Sequence, residues 1–321
     1  MITRLTRRQR LLVLLLCSLL LLKFNSKWAS AANQGAGGAT LAHTLTGDIR
    51  FQKAFQSKFL PFPHDLIVYL PPDYEQGAHH RYPVLYMQDG QNLFDGATSF
   101  FPGRERHFDE IAQTLISERS IRPLIIVGVY SNALNRVDEY TPTRSSANNR
   151  GGQADLYGRM LIEEIKPFID SHYRTLPDRS NTALGGWSLG GLLTLYLGLK
   201  HADTFGELAV TSPAGFWDNE MIVRCVNSLR QKTNQRIWLS VGTGEPDEFV
   251  SSARDLDAAL IAKGWKPGND LVYTERIGAQ HYPGAAPASS VALFKFLFAA
   301  KPPKRAASAR SASANYLQET P

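Results

Sequence analysis

From Phe51 onward, short apolar runs alternate with longer stretches of helical period, and this alternation restricts the fold more than any other feature of the chain. Leu66–Leu70, Val84–Met87 and Leu124–Val129 read as strands, the last as one buried on both faces because no polar residue interrupts it. A helix near Leu156–Tyr173, a strand at Thr182–Leu184 and a helix over Leu189–Leu199 follow. Strands at Leu208–Val210, Ile237–Val241 and Leu271–Tyr273 then alternate with helices near Ser251–Lys263 and Val291–Phe298. Strand–helix alternation at this spacing predicts an α/β fold: one mostly parallel, doubly wound sheet in a single domain. With 321 residues the chain is long enough to bury a core without disulfides or a structural metal.

The net charge of +6 misleads about partners until it is divided along the chain. Arg4, Arg7, Arg8, Arg10, Lys23 and Lys27 stand in the first 31 residues without an acid, and the stretch from Lys301 adds four bases against Glu319. The body between them is therefore near 6 − 6 − 3 = −3, which disfavours nucleic acid as a partner. The basic start, the apolar run Leu11–Leu22 and Ala29-Ser30-Ala31 have the layout of a secretory signal with a mature start near Ala32. That run is shorter than the roughly 20 residues of a membrane span, so no stable span is expected after cleavage. The expected organisation is a signal peptide at 1–31, a Gly/Ala-rich lead-in at 32–45, the folded domain at 46–300 and a disordered tail at 301–321. Export to the periplasm or beyond follows. Cys17 lies in the signal, and Cys225, on an apolar helical stretch, reads as a buried small residue.

Gly186-Trp187-Ser188-Leu189-Gly190 matches G-x-S-x-G. The bare pattern arises by chance about once in ten chains of this length. Here an apolar strand precedes it and an apolar helix follows, the context in which a tight turn exposes a serine hydroxyl above a sheet. A serine nucleophile needs a base, and the base an orienting acid, in the chain order serine, acid, histidine. Glu245 follows the strand Ile237–Val241, with Asp247 in the same loop as the alternative acid, and His281 stands in a loop before the last helix. The oxyanion of an acyl-transfer intermediate would meet the amide of Leu189 and, from the turn after Val84–Met87, that of Gln91. Asp89-Gly90 also reads as an ordinary solvent turn. His79, His80 and His172 carry no metal-ligand spacing, so no metal is expected.

The segments Tyr82–Phe94, Arg136 with Glu139-Tyr140-Thr141-Pro142, Ile165–Asp170, Tyr173-Arg174-Thr175, the Ser188 turn, Phe205-Gly206, Ser212-Pro213 and Gly242–Glu245 together resemble an esterase family. That family includes enterochelin-type siderophore esterases, feruloyl and acetylxylan esterases, and S-formylglutathione hydrolase. The resemblance runs from about Phe51 to Ala299. It implies an α/β-hydrolase fold without a large lid, no cofactor, and hydrolysis of a small-molecule or polysaccharide-linked ester through an acyl-enzyme. Arg136 and Glu139 resemble the family's paired charges. The chain departs from many relatives, which carry a tryptophan shortly after the histidine, at Tyr282–Pro287, and from those resembling the siderophore branch, which show a tryptophan near this position, at His107. The same residues admit acyl transfer to an alcohol, or a non-catalytic binding protein that keeps the fold.

Overall fold

The computed structural model describes residues 41–146, 149–281 and 287–300, the side chain of Pro287 excepted. The expected signal peptide and tail, most of the expected lead-in and residues 282–286 lie outside the described residues. Eight strands form one sheet: β1 (Asp48–Phe55), β2 (His64–Leu70), β3 (Val84–Gln88), β4 (Ile125–Val129), β5 (Thr182–Trp187), β6 (Glu207–Thr211), β7 (Arg236–Gly242) and β8 (Leu271–Arg276). Their order is β1-β2-β4-β3-β5-β6-β7-β8. The pairs β1–β2 and β2–β4 are antiparallel, and all the others are parallel. Every strand placed from the apolar runs is present. β1 escaped that reading because it is an edge strand with several exposed positions, which lacks the continuous apolar signature of the buried strands.

Helices cover both faces. α1 (Phe108–Ser117) and α8 (Pro287–Phe298) pack on one side, meeting Ile67, Tyr69, Leu85, Met87 and Ile126. On the other side Leu66, Val68, Val84, Tyr86, Ile125 and Val127 meet α3 (Ala154–Arg159), α5 (Leu189–Lys200), α6 (Trp217–Ser228) and α7 (Asp247–Lys263). The two-residue alternation of the strands thus builds two cores from one set of runs. A short helix, α2 (Arg136–Tyr140), lies between β4 and α3.

The helix expected over 156–173 is interrupted. α3 widens into a π-helical stretch at Met160–Ile165 before α4 (Lys166–His172). Pro167 has no N–H to donate back to residue 163, so the chain adjusts its register just before it. Cys225 is only half-buried rather than fully buried, and burial pushes its thiol up from the ordinary value, away from reactivity. Among the described residues no helix is long and apolar enough to cross a membrane.

Candidate active site

The loops leaving the C-terminal ends of the parallel strands converge on one edge of the sheet, where such folds gather their chemistry. Ser188 directly follows β5 and caps α5, with φ 62° and ψ −122°. That strained backbone is held on both sides: Ser188 N–H donates to Thr211 O at 3.1 Å, and Ser188 O accepts from Ala214 N–H at 3.0 Å. The turn is so tight that a Cβ on Gly186 would lie 2.4 Å from the carbonyl oxygen of Gly190. Only glycine fits there.

His281 and Glu245 reach this serine from far along the chain. His281 Nε2 lies 3.0 Å from Ser188 Oγ, and Nδ1 lies 2.6 Å from Glu245 Oε2. The Glu245 side chain is fully buried, and its Oε1 accepts from Ser212 Oγ at 2.6 Å and from Gly242 N–H at 2.8 Å. Burial alone would raise its pKa; the bond to His281 and those from Ser212 and Gly242 outweigh that and hold the carboxyl below its ordinary value. An ionised Glu245 accepts, so the proton sits on Nδ1 and leaves the Nε2 lone pair facing the serine hydroxyl. Asp247, the alternative acid, is exposed in the first turn of α7, where a negative charge suits the helix dipole.

The loop bearing His281 lies directly on the turn after β7. Gly244 N–H donates to Ala279 O at 3.1 Å, and Gly278 N–H to Thr243 Oγ1 at 2.8 Å. A Cβ on Gly242 would sit 2.2 Å from Ala279 O, so this close approach requires the glycine. The imidazole packs against Phe249, with ring centroids 4.2 Å apart.

Gln91 belongs to a 3-10 turn, Gly90–Asn92, directly after β3. Its side chain is pinned to Ser131: Nε2 donates to Ser131 Oγ at 3.0 Å, and Oε1 accepts from Ser131 N–H at 3.1 Å. The amides of Gln91 and Leu189 both stand in first turns, where no acceptor exists inside the helix.

Arg136 and Glu139 do not pair with each other. Arg136 instead clamps Asp89, whereas Glu139 is buried beside His64, with Oε2 3.6 Å from Nε2. Burial and the neighbouring Asp138 push the Glu139 carboxyl up to about 7. The resemblance implied a pair, but Arg136 reaches the turn after β3 whereas Glu139 reaches His64 on β2.

Three contributors escaped sequence reasoning. Ser212, after β6, steadies Glu245. The guanidiniums of Arg106 and Arg276 both lie over the Trp187 ring, 4.0 and 4.9 Å from its centroid. Burial pushes Arg106 down to about 10, with Asp89 opposing the shift and Arg276 and Arg136 adding to it. Ser212-Pro213 following a strand was the one legible signal; nothing in the sequence joins residues 106, 187 and 276.

The family model Esterase, described as "Putative esterase", matches residues 57–274. The chain belongs to this family. The esterase is 26% identical over 227 residues to the uncharacterized protein YbbA of Bacillus subtilis, covering 67% of this chain and 84% of that one. It is 29% identical over 206 residues to the endo-1,4-beta-xylanase/feruloyl esterase of Xylanibacter ruminicola, covering 62% of this chain and 25% of that one. Among solved structures it superposes on the enterobactin esterase FES from Shigella flexneri with TM-score 0.58 at 16% identity, covering 79% of this chain and 60% of that one. At that identity the likeness is one of fold, and the fold is that of the α/β-hydrolases. The family supports hydrolysis of carboxylic esters by this chain.

Proposed function

We propose that the protein is an exported serine esterase in which Ser188 is the nucleophile, His281 the general base and Glu245 the acid that orients it. The observation carrying this reading is the continuous chain from Ser188 Oγ through His281 Nε2 at 3.0 Å and Nδ1 to Glu245 Oε2 at 2.6 Å. Ser188 Oγ attacks the ester carbonyl while His281 Nε2 takes its proton. The tetrahedral intermediate collapses, His281 returns the proton to the departing alkoxide, and an acyl-Ser188 ester remains. Water, deprotonated by the same nitrogen, then releases the acid. The oxyanion sits between the amides of Leu189 and Gln91, each contributing on the order of 3 kcal/mol in the transition state.

The substrate is read as a siderophore ester, a feruloyl or acetyl polysaccharide ester, or another small acyl ester. Export rests on the Arg4–Arg10 cluster, the apolar Leu11–Leu22 run and Ala29-Ser30-Ala31. Protein sequencing of exported material should begin near Ala32.

Turnover of p-nitrophenyl butyrate by wild type and Ser188→Ala tests the chemistry. The expected loss in kcat is about 10⁴-fold or more, together with loss of fluorophosphonate labelling. Equal turnover by the two proteins would overturn the assignment. Addition of an alcohol acceptor separates hydrolysis from acyl transfer: the free acid should remain the dominant product. A panel of methyl ferulate, acetylated xylan and ferric enterobactin, compared by kcat/KM, selects the substrate class.

A further inference from the structure

The segment leading into α1, together with its first turn, gathers carboxylates without a matching base. Asp95, Glu105 and Asp109 are buried, and Glu110 is half-buried. Among the described residues no lysine or arginine lies within 4.0 Å of any of them. Their ion-pair partners are His43, on Asp95, and His107, whose Nδ1 is 3.9 Å from Glu105 Oε1 and 3.2 Å from Glu110 Oε1.

Glu105 is only 2% exposed, and its Oε2 has no hydrogen-bond partner, while Oε1 accepts from Thr44 Oγ1. Glu110 Oε2 is also buried, and the Glu110 carboxyl lies against that of Asp109. A carboxylate oxygen removed from water without a donor is costly, and adjacent carboxylates compound that cost. One ligand atom from each of Glu105, His107 and Glu110 lies within 4.8 Å of the other two, and it is the Oε1 atoms of the two glutamates that approach His107 Nδ1. Bonds of about 2.0–2.2 Å to one ion need ligand atoms roughly 3–4 Å apart. Small rotations of these side chains reach that spacing.

We propose that Glu105, His107 and Glu110 bind one divalent transition-metal cation of the zinc class. Two carboxylates and one imidazole are a mixed oxygen and nitrogen set suited to such an ion, whereas calcium and magnesium take oxygen ligands. The His107 side chain is 46% exposed and that of Glu110 33%, which gives the ion an entry path and leaves room for water as a further ligand. Arg106 stands between two of the three ligands. The bound cation therefore fixes the turn that lays its guanidinium over Trp187, next to the proposed nucleophile. The ion is structural and takes no part in the ester chemistry. In the sequence Glu105-Arg106-His107 followed by Glu110 passes for a charged helix start, because the left-handed backbone at His107, φ 55°, is what departs from regular spacing.

Calorimetric titration of zinc chloride into untagged, chelator-treated full-length protein tests the site. One ion per chain is expected, with affinity at least about tenfold weaker in both His107→Ala and Glu110→Gln. Both side chains reach solvent, and unchanged circular dichroism should show that the variants fold. X-ray absorption on the zinc-loaded wild type, which depends on neither variant, should show a first shell of oxygen with a single imidazole. Absence of binding, wild-type affinity in either variant, a shell with several imidazoles or sulfur, or preference for calcium over zinc would each overturn the proposal.

Discussion

Arg136 lays both arms of its guanidinium on Asp89, Nε to Oδ1 and Nη2 to Oδ2, each at 2.7 Å, and the same Nη2 reaches the carbonyl of Trp187 at 3.5 Å. Asp89 also accepts from Ser131 Oγ at 2.7 Å. One ion pair thus ties the turn after β3, which carries Gln91, to the residue immediately before Ser188. Burial works against the Arg136 charge, but Asp89 outweighs it and raises its pKa.

Arg136→Ala should therefore cost both stability and rate. It leaves the Asp89 carboxylate, 8% exposed, without its cation, a loss of about 3 kcal/mol in urea unfolding. The turn and the elbow then move independently, and kcat should fall at least about tenfold. Arg136→Lys, which cannot form the fork, should recover only part of either. Wild-type kcat in the alanine variant would show that the clamp is purely structural.

Ser212→Ala should lower kcat with KM unchanged. Glu245 keeps its bonds to Gly242 N–H and His281 but loses the hydroxyl donor at 2.6 Å. One such bond to a charged acceptor is worth about 1.5 kcal/mol, or roughly tenfold in rate if all of it acts on the imidazole's orientation. Steady-state kinetics on a p-nitrophenyl ester measures it. A raised KM at constant kcat would place Ser212 in substrate binding instead.

Gly242→Ala should disable the site from outside it. The new methyl meets Ala279 O, which must retreat and carry His281 with it. A displacement of about 1 Å at the base costs on the order of 10²-fold. Fluorophosphonate labelling of Ser188 should slow in parallel with turnover, because both need the same imidazole.

Glu139→Gln should make the protein more stable at alkaline pH. The folded carboxyl titrates at about 7 rather than at its ordinary 4.5, so the folded state holds a proton that the unfolded chain releases. Between those two values wild-type stability falls as pH rises, by an amount on the order of 2 kcal/mol, and then levels off. Glutamine removes that slope, so the variant should gain on wild type from pH 5 to pH 8. Urea midpoints that move in parallel across this range would contradict the assignment of the slope to Glu139.

The sequence by itself determined every strand of the sheet but β1, because strands buried on both faces must be written as uninterrupted apolar runs such as Leu124–Val129. It also determined the elbow, since Gly186 is imposed by a backbone contact only a few residues away. The other groups proposed for the chemistry could be nominated as Glu245 or Asp247 and His281, but not resolved, because both acids occupy one loop. Tertiary structure alone brought Glu245 to His281, set Ser212 behind it, turned Arg136 from Glu139 to Asp89, and collected Glu105, His107 and Glu110 around one point. The physical reason is reach. Periodicity and steric exclusion act over a few residues and leave a mark in the local order of letters. A hydrogen bond spanning 93 residues, as between Ser188 and His281, leaves none until the sheet closes the distance.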